Sequence, residues 1–303
     1  KFFFENDRKK TLEGHRDDLT RINYQEGMGD MRDKADRLQK LTEAIGKDWD
    51  FDAEKTADAD RAAFLSKSDL ATGMVTEFTE LQGEMGKEYA LLDGEKPEVA
   101  QAIFEQYMPR FAGDILPQQE IGRALSLADK LDNLAATFLR GLIPTGSQDP
   151  FALRRQTIGA VNILTDGKIH WDIRRGIEAA LALLPGEEET KKTVLSQIED
   201  FFRQRIKAIM LDEGIAYDII DAVLAGPVDD IYALFLKARS MAESQLKDEA
   251  DLRQAVTRLA NITKGKTGGK VDPSLFTEDV EKKLQDAFEA ASKKVLPLFS
   301  AYQ

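Results

Sequence analysis

The sequence predicts an all-α fold, on three observations. Apolar residues recur at helical spacing over long stretches, strand-like alternation is sustained nowhere, and no hairpin dipeptide sits between β-branched runs. Gly122 to Gly141 places Leu127, Leu131, Leu134 and Phe138 on one stripe. Val194 to Leu211 repeats the pattern with Leu195, Ile198, Phe202, Ile206 and Ile209, and Glu281 to Leu298 with Leu284, Ala287, Phe288, Ala291 and Val295. Breakers separate these helices. Pro144 to Pro150 is the clearest loop, and Asp149-Pro150 suits an N-cap followed by proline, which predicts a helix start near Phe151. Pro185-Gly186 with Glu187, Glu188 and Glu189 reads as a turn and as a domain boundary, giving two helical domains, 1–186 and 187–303. Lys264 to Lys270, with three Gly and three Lys, is expected to be a flexible loop.

Composition narrows the function. Lys plus Arg total 42 against 54 Asp plus Glu, a formal charge of -12, so any phosphate-binding surface must be a local patch on an acidic body. There is no Cys, which excludes disulfides, thiol catalysis and cysteine-ligated metals, and only His15 and His170 are present, too few for a many-histidine metal centre. The longest apolar run, Ala179 to Pro185, falls far short of the ~18 residues a spanning helix needs. The first residues, Lys1-Phe2-Phe3-Phe4, lack an initiator Met and a signal-peptide pattern, so the chain is expected to start inside a longer, cytoplasmic protein.

Four blocks carry a resemblance. They are Ser66-Lys67-Ser68-Asp69-Leu70 running on through Gly83-Glu84-Met85-Gly86 to Ala90; Glu105-Gln106-Tyr107-Met108-Pro109-Arg110-Phe111-Ala112-Gly113-Asp114; Ala128-Asp129-Lys130-Leu131-Asp132; and Asp149-Pro150-Phe151-Ala152-Leu153-Arg154-Arg155. Together with Asp221 to Ala225 and Arg258 to Ile262, they resemble the β subunit of the bacterial heterotetrameric glycyl-tRNA synthetase over essentially the whole chain. The resemblance implies an HD-like helical domain over 1–186, followed by a DALR-type anticodon-binding domain over 187–303, truncated before the family's usual end. It also implies tRNA(Gly) and the synthetase α subunit, in an α2β2 heterotetramer, as partners. Glycine activation, with its ATP and Mg, would belong to the α subunit; the fragment alone would be inactive, with no cofactor and no catalytic residue of its own.

An active HD site surrounds a metal with several His and Asp ligands, because the metal must activate water. Here Asp129 resembles the superfamily's final aspartate, Ser68-Asp69 stands where the His-Asp pair would be, and the His is missing, so no metal site is expected. Asp129 and Asp132 are expected as partly exposed helix carboxylates near Arg123 or Lys130. Glu77, Glu80 and Glu84 are expected on one solvated helical face. Ala260 to Thr267 fits a permissive P-loop pattern, but helical spacing in Leu252, Ala255, Val256 and Leu259 argues against the strand a P-loop requires. Trp171 beside His170 reads as core or rim.

Nucleic-acid contacts are the remaining chemistry. Arg253, Arg258, Lys264, Lys266 and Lys270 lie in a stretch with no acidic residue, and Asn261 there offers a directional hydrogen bond. Arg203, Arg205 and Lys207 are a second basic group, with pairing to Glu199 and Asp200 as the competing reading. Of Arg154 and Arg155, one is expected to pack on the Pro144 loop and the other to reach RNA or the partner subunit. The alternatives to a tRNA-binding subunit are a metal-dependent HD-type nucleotide phosphohydrolase and a purely structural scaffold joining subunits.

Overall fold

A computed structural model describes residues 1–146, 148–243, 250–265, 269 and 271–300. Among them every element is helical, with only isolated bridges such as Asn23 to Asp30 and Asp172 to Asp230 in place of strands. The all-α expectation holds. The chain forms two compact units, Lys1–Ser244 and Gln245–Gln303.

The first unit opens with two short helices, α1 (Phe2–Asp7) and α2 (Leu12–Arg16). Then comes α3 (Met31–Asp48), which starts at a capping box: the Asp30 carboxylate accepts from Arg32 N and Asp33 N, while Asp33 accepts from Asp30 N. Helix α4 (Ala53–Leu65) is capped by Asp52, and α5 (Gly73–Glu77) and α6 (Glu84–Leu92) follow short 3-10 turns. Pro97 opens α7 (Pro97–Glu105), where its missing N–H costs nothing. At the centre is α8 (Glu120–Leu139), buried along nearly its whole length and packed by α3, α4, α7, α9 (Leu153–Asp166), α10 (Ile173–Ala182) and α11 (Glu188–Asp212). The unit closes with α12 (Tyr217–Leu224) and α13 (Ile231–Glu243).

The expected boundary at residue 186 falls inside this unit. Helix α11 buries Ile198, Phe202 and Ile206 completely, and its Phe201 ring meets Phe138 of α8 edge-on at 5.3 Å. Each such side chain contributes roughly 1.5–3 kcal/mol of burial, which ties α11 to α8, α9 and α10. The packing division lies after Ser244.

The second unit holds α14 (Ala250–Thr263), a 3-10 turn at Pro273–Leu275 and α15 (Asp279–Ser300). Segment 250–263 is thus helix, as its spacing indicates, and supplies no strand for a P-loop. The α15 stripe forms one face as expected, but Leu284 and Phe288 are 70% and 65% exposed.

Candidate functional site

Burying α8 on all sides takes its charged residues into the core. Asp129, Lys130 and Asp132 are 8%, 4% and 1% exposed, so the expectation of partly exposed carboxylates is corrected. Their partners come from elsewhere in the chain. Lys34 Nζ lies 2.9 Å from both Asp129 Oδ1 and Asp132 Oδ2, and Arg37 grips Asp132 with Nε at 2.6 Å and Nη2 at 3.2 Å. Lys67 Nζ reaches Asp129 Oδ2 at 3.1 Å from a left-handed backbone conformation (φ 66°), which an L-residue adopts only at a cost. Burial alone would raise the Asp129 pKa, but the ammonium groups of Lys34 and Lys67 overcome it and hold the carboxyl well below the usual range.

Beside this pair, Asp69 is buried and accepts from Gly83 N at 2.6 Å and from the Tyr107 hydroxyl at 3.3 Å; burial raises its pKa against those bonds. Lys130 donates to Met108 O and Ser126 Oγ, both at 2.7 Å, and burial pushes its pKa down to about 7. A divalent cation does not fit this donor set. Two ammonium groups already face Asp129, and among the described residues no three His, Cys, Asp or Glu side chains are placed to hold a metal ion. The histidines are engaged apart from it: His15 Nε2 meets Asp7 O at 2.9 Å and His170 Nδ1 meets Asp230 Oδ2 at 2.7 Å. Trp171 is buried, its indole N–H donating to Asp48 at 3.0 Å, consistent with a core role.

Open surface chemistry gathers instead at the start of α9. Asp149 caps that helix, its carboxylate accepting from Leu153 N at 2.8 Å and Arg154 N at 3.0 Å. Ala152 takes a left-handed conformation (φ 53°), so the helix begins at Leu153 rather than at Phe151. Two clefts open here. One of about 400 Å³ is lined by Pro109, Phe111, Arg154, Arg155 and Asn162, among others. The second, of about 370 Å³, lies between Arg154 and the Phe201 and Arg205 side chains of α11. Arg154 donates to Gly146 O at 2.7 Å, the packing on the Pro144 loop expected of one of the two arginines, while Arg155 is exposed and unbonded. Most described arginines are ion-paired; among the described residues Arg8, Arg154, Arg155, Arg205 and Arg258 make no ion pair, and three of these five line the two clefts.

The α11 basic group divides. Arg203 donates to Leu224 O and to Gly226 O at the end of α12, with Asp200 3.8 Å away, and Lys207 pairs with Asp221 at 2.7 Å over the Tyr217 ring. Both are taken up inside the fold, through α12 as well as the neighbouring Asp200, whereas Arg205 lies over Phe201 with its Nε buried and unpartnered. In the second unit Arg258 and Asn261 are exposed one turn apart on α14, and Lys264 is exposed just after it. The Arg253 side chain, Lys266 and Lys270 lie outside the described residues. Glu77, Glu80 and Glu84 fall on α5, a 3-10 turn and α6, so they share no helical face. Sequence reasoning missed Lys34, Lys67, Phe111 and Asn162: the lysines sit far from Asp129 along the chain, and nothing local marks Phe111 as exposed.

Residues 1–225 match the family model described as "Glycyl-tRNA synthetase beta subunit". Among curated relatives named "Glycine--tRNA ligase beta subunit", the chain is 45% identical over 295 residues to that of Clostridioides difficile (strain 630), covering 97% of this chain and 43% of the relative. It is 40% identical over 301 residues to that of Desulforamulus reducens, covering 98% and 43%, and 39% identical over 313 residues to that of Shouchella clausii, covering 100% and 45%. The chain thus spans less than half the length of the curated relatives it matches.

Proposed function

This chain belongs to the glycyl-tRNA synthetase beta subunit family, and on that premise we propose that it binds tRNA(Gly) and orients it while an α subunit makes the adenylate and transfers glycine. Orientation is a catalytic contribution in its own right, since a positioned acceptor replaces a bimolecular encounter. In this reading the chain works in the cytoplasm within an α2β2 assembly, uses no cofactor of its own, leaves ATP and Mg to the α subunit, and is inactive alone. Among the described residues no helix is long and apolar enough to cross a membrane.

The observation that carries the reading is the set of arginines without carboxylate partners at the two clefts of a chain whose net charge is -12. In an acidic protein a guanidinium is normally neutralised internally; Arg154, Arg155 and Arg205 are left for an outside anion. We assign Arg258, Asn261, Lys264, Lys266, Lys270 and Arg253 to a second contact surface, and Arg203 and Lys207 to holding α12. The HD-like (1–186) and DALR-type (187–303) modules are proposed as units of descent, across which packing is continuous as far as α13. The phosphohydrolase reading is disfavoured by the two lysines that neutralise Asp129.

Titrating the purified chain with tRNA(Gly) across a salt series tests this. Affinity should fall linearly with log salt concentration, with a slope that reports several phosphates. Binding that is absent at low salt, or insensitive to salt, overturns the reading and leaves the scaffold alternative.

A further inference from the structure

Arg154 stands where the two clefts meet and lines both. A guanidinium carries five N–H donors, and Arg154 spends one of them, on Gly146 O. Arg205 reaches the same cleft from α11. Its plane sits 4.1 Å over the Phe201 ring, its Nη1 donates to the adjacent Gln204 side chain at 3.0 Å, and its Nε is buried with no partner. The two guanidiniums are close enough for Arg154 to disfavour the charge on Arg205, after burial the largest influence on it. The carboxylate that acts on Arg205 from nearby, Asp149, is committed to the amides of Leu153 and Arg154.

The carboxylate that lines this cleft, Asp200, lies 3.8 Å from Arg203 and pairs with neither Arg154 nor Arg205, so two like charges face the cleft without an ion-pair partner of their own, an arrangement that an entering anion relieves. A phosphate matches it best, since its oxygens accept from both planar forks at once. The adjoining cleft offers something different: Phe111, 55% exposed, alongside the free Arg155 and the amide of Asn162. An exposed ring beside a guanidinium and an amide suits a splayed-out base with its backbone, which a paired base inside an A-form helix cannot present.

We propose that Arg154 and Arg205 form a phosphate clamp for an unpaired RNA strand, with the Phe111 cleft taking the neighbouring base. This rests on the tRNA-binding reading above and deepens it by naming the part of the nucleic acid that this face takes: single strand rather than duplex backbone.

The experiment titrates the 303-residue chain with tRNA(Gly), with a short single-stranded RNA, and with a blunt hairpin that has no splayed nucleotides. Arg154→Gln and Arg205→Gln should each weaken single-strand binding roughly tenfold. The double variant should be little worse than either single, because both lose the same phosphate. The salt slope should drop by about 0.7 in all three. Phe111→Ala should weaken single-strand binding and spare the hairpin. Thermal unfolding should shift only modestly, by the bond of Arg154 to Gly146 O and the cover of Arg205 over Phe201, and binding is compared at a temperature where every variant is fully folded. Losses that multiply and slopes that add overturn the clamp in favour of two separate contacts. A hairpin bound as tightly as the single strand overturns the strand assignment. Variants that bind like the parent place the RNA elsewhere and leave the tRNA reading standing, whereas a parent chain that binds no RNA overturns both.

Discussion

Lys67 Nζ lies 3.1 Å from Asp129 Oδ2, with only 3% and 11% of the two side chains exposed. Lys34 holds the other carboxylate oxygen at 2.9 Å. Removing such ions from water costs several kcal/mol each, and their attraction offsets that only while every partner is present. The centre of the first unit is therefore a closed charge network around Asp129 and Asp132.

Losing one lysine should expose that dependence. Lys67→Met leaves Asp129 with only Lys34, which it shares with Asp132, and is expected to destabilise the chain by about 3–5 kcal/mol, read from urea unfolding. Adding Asp129→Asn should recover part of the loss, because the orphaned charge goes with it. A single variant within ~1 kcal/mol of the parent would show that water reaches this pair.

Stability should depend on pH in two separate windows. Burial depresses Lys130 to about 7 from its ordinary 10.5. Between those values the unfolded chain binds more protons than the folded one, so stability should rise with pH across the window. Asp129 and Asp132 add a rise of the same sign at acid pH. Burial opposes their charge, but Lys34 overcomes it and holds both below the usual 3.8, so their contribution is present above that pH and is lost as pH falls through their folded values. Lys130→Met should flatten the alkaline rise and leave the acid limb intact in chemical denaturation at fixed pH steps.

The start of α9 rests on Asp149 alone. Asp149→Ala strands the amides of Leu153 and Arg154, and should cost about 1 kcal/mol, between 0.5 and 2. Asp149→Ser keeps an acceptor and should retain most of it. An alanine variant with unchanged melting temperature would mean that the amides find water instead.

Truncation separates packing from descent. A chain ending at Glu243 keeps α11 to α13 and should unfold cooperatively, near the parent temperature. A chain ending at Gly186 strips Phe201 and Phe202 from α8 and uncovers Phe138, and should aggregate or melt far lower. Two fragments of equal cooperativity on either side of residue 186 would reverse this assignment.

What was legible in the sequence was local. The Leu127, Leu131, Leu134 and Phe138 stripe is α8, and a helix following the Pro144 loop was legible too, although Asp149 caps it from three residues before the N-cap Ala152 and Pro150 does not open it. The rest was not local. The burial of Asp132 follows from α3 and α10 packing around α8, and its partner Arg37 lies far back along the chain. The boundary at Pro185-Gly186 is read from its turn residues and the acidic run that follows, while the burial of Ile198 and Phe202 in the same unit appears only in three dimensions. Arg203 and Arg205, two residues apart and alike in sequence, differ because one meets the carbonyl end of α12 and the other an open cleft.

Arg258 provides the sharpest check on the second unit. It is exposed on α14 and, among the described residues, has no ion pair, so nothing in its surroundings makes it structural. Arg258→Ala should therefore leave the melting temperature where it was, since a surface side chain without partners contributes within about 0.5 kcal/mol. If the side chain neutralises a phosphate, tRNA affinity should fall severalfold and the salt slope should flatten by about 0.7. Arg258→Lys should restore the slope, because the charge returns, while affinity recovers only in part if the guanidinium fork was in use. Asn261→Ala, one turn on, should lower affinity with no change in slope, as a neutral side chain releases no counterion. An Arg258→Ala chain with the parent's affinity and slope would remove α14 from the RNA path and leave contact to the clefts beside α9.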